Sequence, residues 1–279
     1  MKKIDYDGQF FSVKDTLSCG QIFRYAPYKD GFLVFSGDKC CYAYNNGGKA
    51  IIECDIENEK YFYDYFDLER DYNAIYRAAL EEKEEIIRTS ATLGKGIRIL
   101  NQNKTETLFS FIVSQNNNIP RIKKILNGLC EKLGEERSFD GVKFYSFPTA
   151  EKMAEKPIEF FTSTGLGYRA GYIKKLADDI VSGFDPETLS DLSTKELRKE
   201  LVGIYGVGPK VADCVTLFGY HRADSFPVDI WIEKVYAENF NGTIKERNKI
   251  SEYFLDRFKD NSGYYQQYLF YYKRSLENK

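Results

Sequence analysis

The chain changes its periodicity near residue 56, and that change limits the folds open to it. From Gly8 to about residue 56, the stretches QIFRY, GFLVFS, KCCYAY and KAIIEC alternate with Lys29-Asp30-Gly31, Ser36-Gly37-Asp38 and Asn45-Asn46-Gly47-Gly48. Aromatic and β-branched residues favour strands, and Gly and Asn accept the positive φ of tight hairpins, so this part predicts a small antiparallel sheet. From residue 57 to Gly94 the spacing is helical, and further helices are expected over 104–115, 120–134, 149–156, 169–182, 193–202, 209–220, 227–239, 245–258 and 262–276. The fold class expected is therefore α+β, a small N-terminal antiparallel β domain followed by a mostly α-helical region. The division expected is residues 1–75 for the sheet with a trailing helix and 76–279 for the helical region.

Composition narrows the chemistry. A net charge of −2 over 279 residues gives no global sign of a nucleic-acid partner, so any such reading must rest on local features. There is one histidine, His221, which argues against histidine-rich zinc sites and against Cys–His or Ser–His–Asp catalysis. The six cysteines (Cys19, Cys40, Cys41, Cys54, Cys130 and Cys214) form no C-x-x-C pair. They read as reduced thiols, with no disulfide frame, zinc site or iron–sulfur cluster. The N-terminal MKKIDYDGQFF lacks the apolar core of a signal peptide, and no apolar run is long enough to span a bilayer. A cytoplasmic protein without a membrane partner is expected.

The segment STKELRKELVGIYGVGPKVADCVTLFGY, about 193–220, reads as a helix, a Gly-rich hairpin and a second helix. Ser193 with Glu196 is a capping box, and Pro209 suits the first position of the second helix. Glycines permit a tight turn and close approach of a ligand, and free N–H groups at a helix start can hold a phosphate. The segment resembles the helix–hairpin–helix DNA-binding motif, with Gly206, Gly208 and Val211 at the DNA backbone. A plain αα-corner with a glycine cap would carry the same glycines. Lys210 is either a phosphate contact or a nucleophile, and the hairpin alone leaves both open.

Nineteen residues after Lys210, in SFPVDIW, comes Asp229. Pro227 is expected to open a helix with Asp229 in its first turn, where an ionised carboxylate is favoured. The simple alternative is a capping role. A hairpin, a helix and Pro-Val-Asp resemble the helix–hairpin–helix DNA glycosylase superfamily, in which the aspartate faces the active site. If Lys210 is the nucleophile, its amine must be neutral to attack a sugar carbon. A desolvated helix start favours that, and an ion pair with Asp229 opposes it.

SCGQIFRY, GIRILNQ, LFSFIVSQNNNIPRI, GLGYRA and GVGPKVADC occur in the order found in 8-oxoguanine DNA glycosylase/AP lyases. The resemblance runs from about Leu17 to Phe270. It implies a β domain plus two helical subdomains, and a bifunctional enzyme that excises 8-oxoguanine opposite cytosine and nicks the strand by β-elimination. It implies Lys210 as Schiff-base lysine and Asp229 as its acidic partner. Asn116 would fill the gap left by the flipped base, Arg121 and Arg169 would bond the orphaned cytosine, and Tyr168 would wedge beside it. Cys214 and Phe270 would sandwich the base, Gln266 would read its Watson–Crick edge, and the Gly20 carbonyl would accept the N7 hydrogen that guanine lacks. The family's hairpin carbonyls often hold a monovalent cation, which maps to Val202, Ile204 and Val207. No other cofactor is implied; the partner is double-stranded DNA containing oxidised guanine, and the protein is expected as a monomer. Eukaryotic members carry histidine two residues after the aspartate, where this chain has Trp231. Rival readings are an endonuclease III relative, a monofunctional alkylpurine glycosylase and a non-catalytic DNA-binding module. The absence of cysteines beyond Cys214 opposes the first and Lys210 the second. The spacing of Asp229 opposes the third.

Overall fold

The computed structural model describes residues 1–277. The elements run β1 (Lys2–Asp7), α1 (Val13–Ser18), β2 (Tyr25–Tyr28), β3 (Gly31–Ser36), β4 (Lys39–Asn46) and β5 (Lys49–Cys54). Then come α2 (Glu59–Tyr65), α3 (Tyr72–Leu80), α4 (Glu85–Leu93), α5 (Lys104–Ser114), α6 (Ile119–Leu133), β6 (Glu136–Phe139) and β7 (Val142–Tyr145). The chain continues through α7 (Ala150–Ala154), α8 (Ile158–Phe161), α9 (Arg169–Val181), α10 (Thr194–Gly203), α11 (Pro209–Phe218), α12 (Ile230–Asn239), α13 (Arg247–Phe258) and α14 (Ser262–Glu277).

The first five strands form an antiparallel sheet in the order β1-β5-β4-β3-β2. Its inner face, with Val34, Cys41, Ala43, Ala50 and Ile52, buries against Phe62, Tyr65 and Phe66 around α2. Leu33, Cys40 and Tyr42 point the other way and pack on Phe139 and Phe144 of the β6–β7 hairpin. The alternation follows from the two-residue period of a strand. The larger apolar core lies among the helices, with α5 buried along almost its whole length.

Several expectations need correction. The sheet starts at Lys2, earlier than expected, and QIFRY contributes only Tyr25 to a strand. Residues 13–18 are helical because Ser12 caps them, its hydroxyl accepting from the Asp15 N–H. The stretch from 57 to 94 is three short helices separated by turns, with Asp67 at positive φ between the first two. The β6–β7 hairpin was not anticipated; it turns on Asp140 and Gly141, both at positive φ. Helix α12 begins at Ile230, three residues after Pro227. Among the described residues no helix is long and apolar enough to cross a membrane.

Polar ties bind the sheet to the helices. The buried Arg24 guanidinium pairs with Glu106 of α5 at 3.1 Å and donates to the Tyr145 carbonyl at 2.6 Å. Arg98, fully buried, donates to the carbonyls of Phe66 and Phe10 and lies over the Tyr72 ring. These contacts satisfy charges that would be costly to bury alone.

Candidate active site

Helix α10 starts with the expected capping box, the Ser193 hydroxyl accepting from the Glu196 N–H and the Glu196 carboxylate from the Ser193 N–H. The chain then turns through Gly206 at φ +89°. A Cβ on Gly206 would lie 2.3 Å from the Tyr172 ring of α9, so only glycine fits. Helix α11 follows with Gly208 at its N-cap and no side chain satisfying its first N–H groups. Tyr205, on the hairpin, is 60% exposed.

Two hollows meet beside this hairpin. An open cleft of about 1140 Å³ is lined by Asn116, Arg121, Tyr168, Gly208, Lys210 and Asp229, among others. A small half-open pocket of about 60 Å³ is lined by Gly20, Cys214, Gln266 and Phe270, and again by Lys210 and Asp229. Lys210 and Asp229 thus stand where the cleft opens into the pocket. Phe111 and Phe218, stacked at 5.6 Å with their planes 17° apart, form part of the pocket wall.

Asp229 is the N-cap of α12. Its Oδ1 accepts from the N–H groups of Trp231 and Ile232, each at 3.0 Å. Among the described residues Oδ2 has no hydrogen bond and no direct ion pair joins Asp229 to Lys210. Burial pushes the Asp229 carboxyl above its ordinary range, opposed by the Ile232 N–H and the charge of Lys210. Capping and facing the site are therefore both true of Asp229. Lys210 lies 5.6 Å from the centre of the Phe111 ring and beside the Cys214 thiol one turn on. Burial raises that thiol to about 11 despite the nearby ammonium, so Cys214 presents a neutral SH surface.

Gln266 donates its amide nitrogen to the Pro227 carbonyl at 3.1 Å, and its Oε1 is buried without a partner. Asn116 sits in the left-handed region at φ +50° with its side chain exposed, between α5 and α6. Asn118 caps α6 by accepting from the Arg121 N–H. Arg121 donates to the Gly165 carbonyl at 3.1 Å, and Tyr168 is 55% exposed. Arg169 stands apart. It is 4% exposed and its guanidinium donates to the carbonyls of Gln115, Leu166 and Asn116. It clamps the turn that carries Asn116, and in this state its donors are engaged. Val202, Ile204 and Val207 lie at the end of α10 and on the hairpin; the Ile204 carbonyl accepts from the Val207 N–H at 2.9 Å.

Some participants were not anticipated. Gln115 donates from Nε2 to the Gly206 carbonyl at 2.8 Å, joining the Asn116 turn to the hairpin. Its place just before the Asn triplet was the only signal in the sequence. Trp231 lines the cleft beside Asp229. Asp213, buried on α11, is paired by Arg198 of α10, which braces the two hairpin helices together. All six cysteines are buried and unpaired, and no group of three or more His, Cys, Asp or Glu among the described residues could hold a metal ion.

A sheet followed by a helical region, with a lysine on a helix–hairpin–helix facing a half-buried aspartate, is the architecture of base excision glycosylases. The family model for HhH-GPD superfamily base excision DNA repair proteins matches residues 109–259. The model for the N-terminal domain of 8-oxoguanine DNA glycosylase matches residues 3–108. The chain belongs to the 8-oxoguanine DNA glycosylase family of that superfamily. A Clostridium acetobutylicum 8-oxoguanine glycosylase/lyase, solved with duplex DNA containing cytosine opposite 8-oxoG, is 35% identical with a TM-score of 0.91, over 96% of this chain and 93% of that one. The structure of MBOgg1 with a low affinity DNA ligand is 36% identical with a TM-score of 0.93, over 99% and 96% of the two chains. The N-glycosylase/DNA lyase of Saccharomyces cerevisiae is 38% identical over 159 residues, which span 52% of this chain and 42% of the yeast protein.

Proposed function

We propose that the chain is a bifunctional DNA glycosylase and AP lyase that removes 8-oxoguanine from duplex DNA, preferentially opposite cytosine. The observation that carries the reading is that Lys210 and Asp229 line both the open cleft and the small pocket beside it. A base turned into the pocket leaves its sugar at their junction. Once Lys210 has lost its ammonium proton to solvent, its amine attacks C1′, the N-glycosidic bond breaks, and its electron pair leaves with the base, which takes up a proton from the new C1′ ammonium. The nitrogen lone pair then opens the ring by breaking the C1′–O4′ bond, O4′ takes up a proton from solvent, and a protonated Schiff base on Lys210 results. This electron sink allows loss of a C2′ proton and expulsion of the 3′ phosphate, which is β-elimination. The Asp229 Oδ2, free of hydrogen bonds, is available to stabilise the positive charge that develops on the sugar.

In the pocket, Cys214 and Phe270 take the two faces of the base and the unpartnered Gln266 Oε1 accepts from its Watson–Crick edge. The Gly20 carbonyl accepts the N7 hydrogen. Guanine presents a lone pair there, so the buried carbonyl goes unpaired with the undamaged base. Asn116 enters the vacated gap and Tyr168 wedges beside the orphaned cytosine. Arg121 and Arg169 bond that cytosine; for Arg169 this requires exchanging its carbonyl partners for the base. The N–H groups around Gly206, Gly208 and Val211 grip the phosphates. The carbonyls of Val202, Ile204 and Val207 are neutral oxygen donors of a kind suited to a monovalent cation, which would stiffen the hairpin. The enzyme would act as a monomer on DNA in the cytoplasm.

Borohydride trapping tests the reading. Wild-type protein should form a covalent adduct with a duplex containing 8-oxoguanine, most strongly opposite cytosine, and Lys210→Gln should not. An adduct with Lys210→Gln refutes the assignment of the nucleophile.

A further inference from the structure

Gly20 lines the pocket, and almost every other carbonyl of the segment Ser18–Gln21 around it is occupied. The Arg274 guanidinium donates to the Ser18 carbonyl. The Gln267 amide donates to the Cys19 carbonyl at 2.9 Å, and the Gln102 amide to the Gln21 carbonyl at 2.7 Å. The Gln21 side chain is itself locked, donating to the Arg98 carbonyl at 2.7 Å and accepting from the Leu100 N–H at 2.8 Å. Among the described residues the Gly20 carbonyl alone in this segment accepts nothing.

Gly20 sits at φ +94°, and a Cβ there would lie 3.1 Å from the Phe270 ring. Glycine is therefore required, and glycine brings rotational freedom that would let its carbonyl swing. Peptide units are planar, so holding the Cys19 and Gln21 carbonyls fixes the two Cα atoms between which the Gly20 carbonyl unit hangs, and the Gln21 N–H of that same unit, which lies toward the Cys19 sulfur, opposes its rotation. The pins come from opposite sides, Gln267 from α14 and Gln102 from the segment between α4 and α5. Gln267 also follows Gln266 directly, so the same helix turn supplies a base-reading side chain and the brace of the opposing carbonyl.

We propose that Gln267 is a specificity-determining positioning residue, which sets the discrimination between 8-oxoguanine and guanine by holding the Gly20 carbonyl at the N7 position of the flipped base, with Gln102 as the matching brace. The inference rests on the reading that this carbonyl takes the N7 hydrogen. Removing a brace releases the carbonyl without touching Lys210 or Asp229. The loss falls on base reading far more than on sugar chemistry.

The test compares wild type, Gln267→Met and Gln102→Met in single-turnover assays on three duplexes. One carries 8-oxoguanine, one its 7-deaza analogue with C–H in place of N7–H, and one an abasic site. Each brace variant should lose about tenfold in 8-oxoguanine excision, the scale of one buried hydrogen bond. Its preference over the 7-deaza analogue should shrink by a similar factor, and abasic-site cleavage should fall far less. Equal losses on all three duplexes would show a merely structural role and overturn the proposal, as would an unchanged preference. If Gln267→Met does not fold, Gln102→Met must still show the selective loss, or the proposal fails. A wild type with no preference over the 7-deaza analogue would instead refute the assignment of the Gly20 carbonyl itself.

Discussion

Replacing Gly206 by alanine tests whether the hairpin depends on its contact with α9. The added methyl carbon would lie 2.3–2.7 Å from three atoms of Tyr172, far inside contact distance. Left-handed backbone at φ +89° adds about 1–2 kcal/mol for a residue with a Cβ. Overpacking against the ring adds about 1–3 kcal/mol. The contacted atoms are Cβ, Cγ and Cδ2, at the root of the side chain, so turning the ring relieves little, and the ring itself meets Tyr205 edge-on at 5.1 Å and Tyr168 at 5.8 Å. A total of about 2–5 kcal/mol, at about 2–4 °C per kcal/mol for a chain of this size, lowers Tm by roughly 4–20 °C. Movement of Tyr172 also disturbs Tyr205 and Tyr168, so affinity for duplex DNA should fall together with Tm. A double-mutant cycle with Tyr172→Gly separates the causes, because removing the whole side chain, Cβ included, relieves the overpacking and leaves the backbone strain. Thermal unfolding of the four proteins should give a coupling of about 1–3 kcal/mol. A Gly206→Ala protein that melts within about 2 °C of wild type refutes the reasoning. So does a strictly additive cycle, which would mean that the ring and the hairpin do not press on one another.

Two other predictions concern stability and the site. Asp229→Asn keeps an N-cap oxygen but removes the burial penalty on the charge. A carboxyl whose folded pKa is raised binds its proton more tightly in the native state, so ionisation costs wild-type stability as pH rises through the acid range. The variant should therefore be more stable than wild type at neutral pH, with the difference closing below the ordinary aspartate range, while excision is lost; a pH series of melting curves checks the sign. Ser193→Ala breaks the capping box at the far end of α10 and should cost about 1 kcal/mol in Tm measurements, leaving borohydride trapping well below Tm intact.

Much of the architecture was legible because local chemistry dictates it. The turn at Asn45–Gly48 sets the β4–β5 register, and Pro209 marks the start of α11 within one residue. Strand β1 escaped because an edge strand needs few apolar residues; Ile4 and Tyr6 alone turn inward on alternate positions. The Asp140-Gly141 turn carried a readable hairpin signal that its charged neighbours Glu135, Glu136 and Arg137 obscured. The pocket set was legible only jointly, since Phe270 or Cys214 alone reads as core. The partners of Arg169 and Gln115 were not legible at all. Both side chains bond backbone carbonyls brought close by tertiary packing, and a carbonyl carries no mark of its residue type.

The bond from Gln267 to the Cys19 carbonyl spans 248 residues. Closing so long a loop carries an entropic cost that contacts between chain neighbours escape, so this bond depends on the rest of the fold being in place. The two hairpin helices, by contrast, are neighbours in the chain, although Gln115 and Tyr172 brace the turn between them. A nascent or partly unfolded molecule could thus grip a duplex before its lesion pocket existed. Such a species would occupy DNA without inspecting it, and docking of the final helix is the step that turns a holder of DNA into a reader of bases.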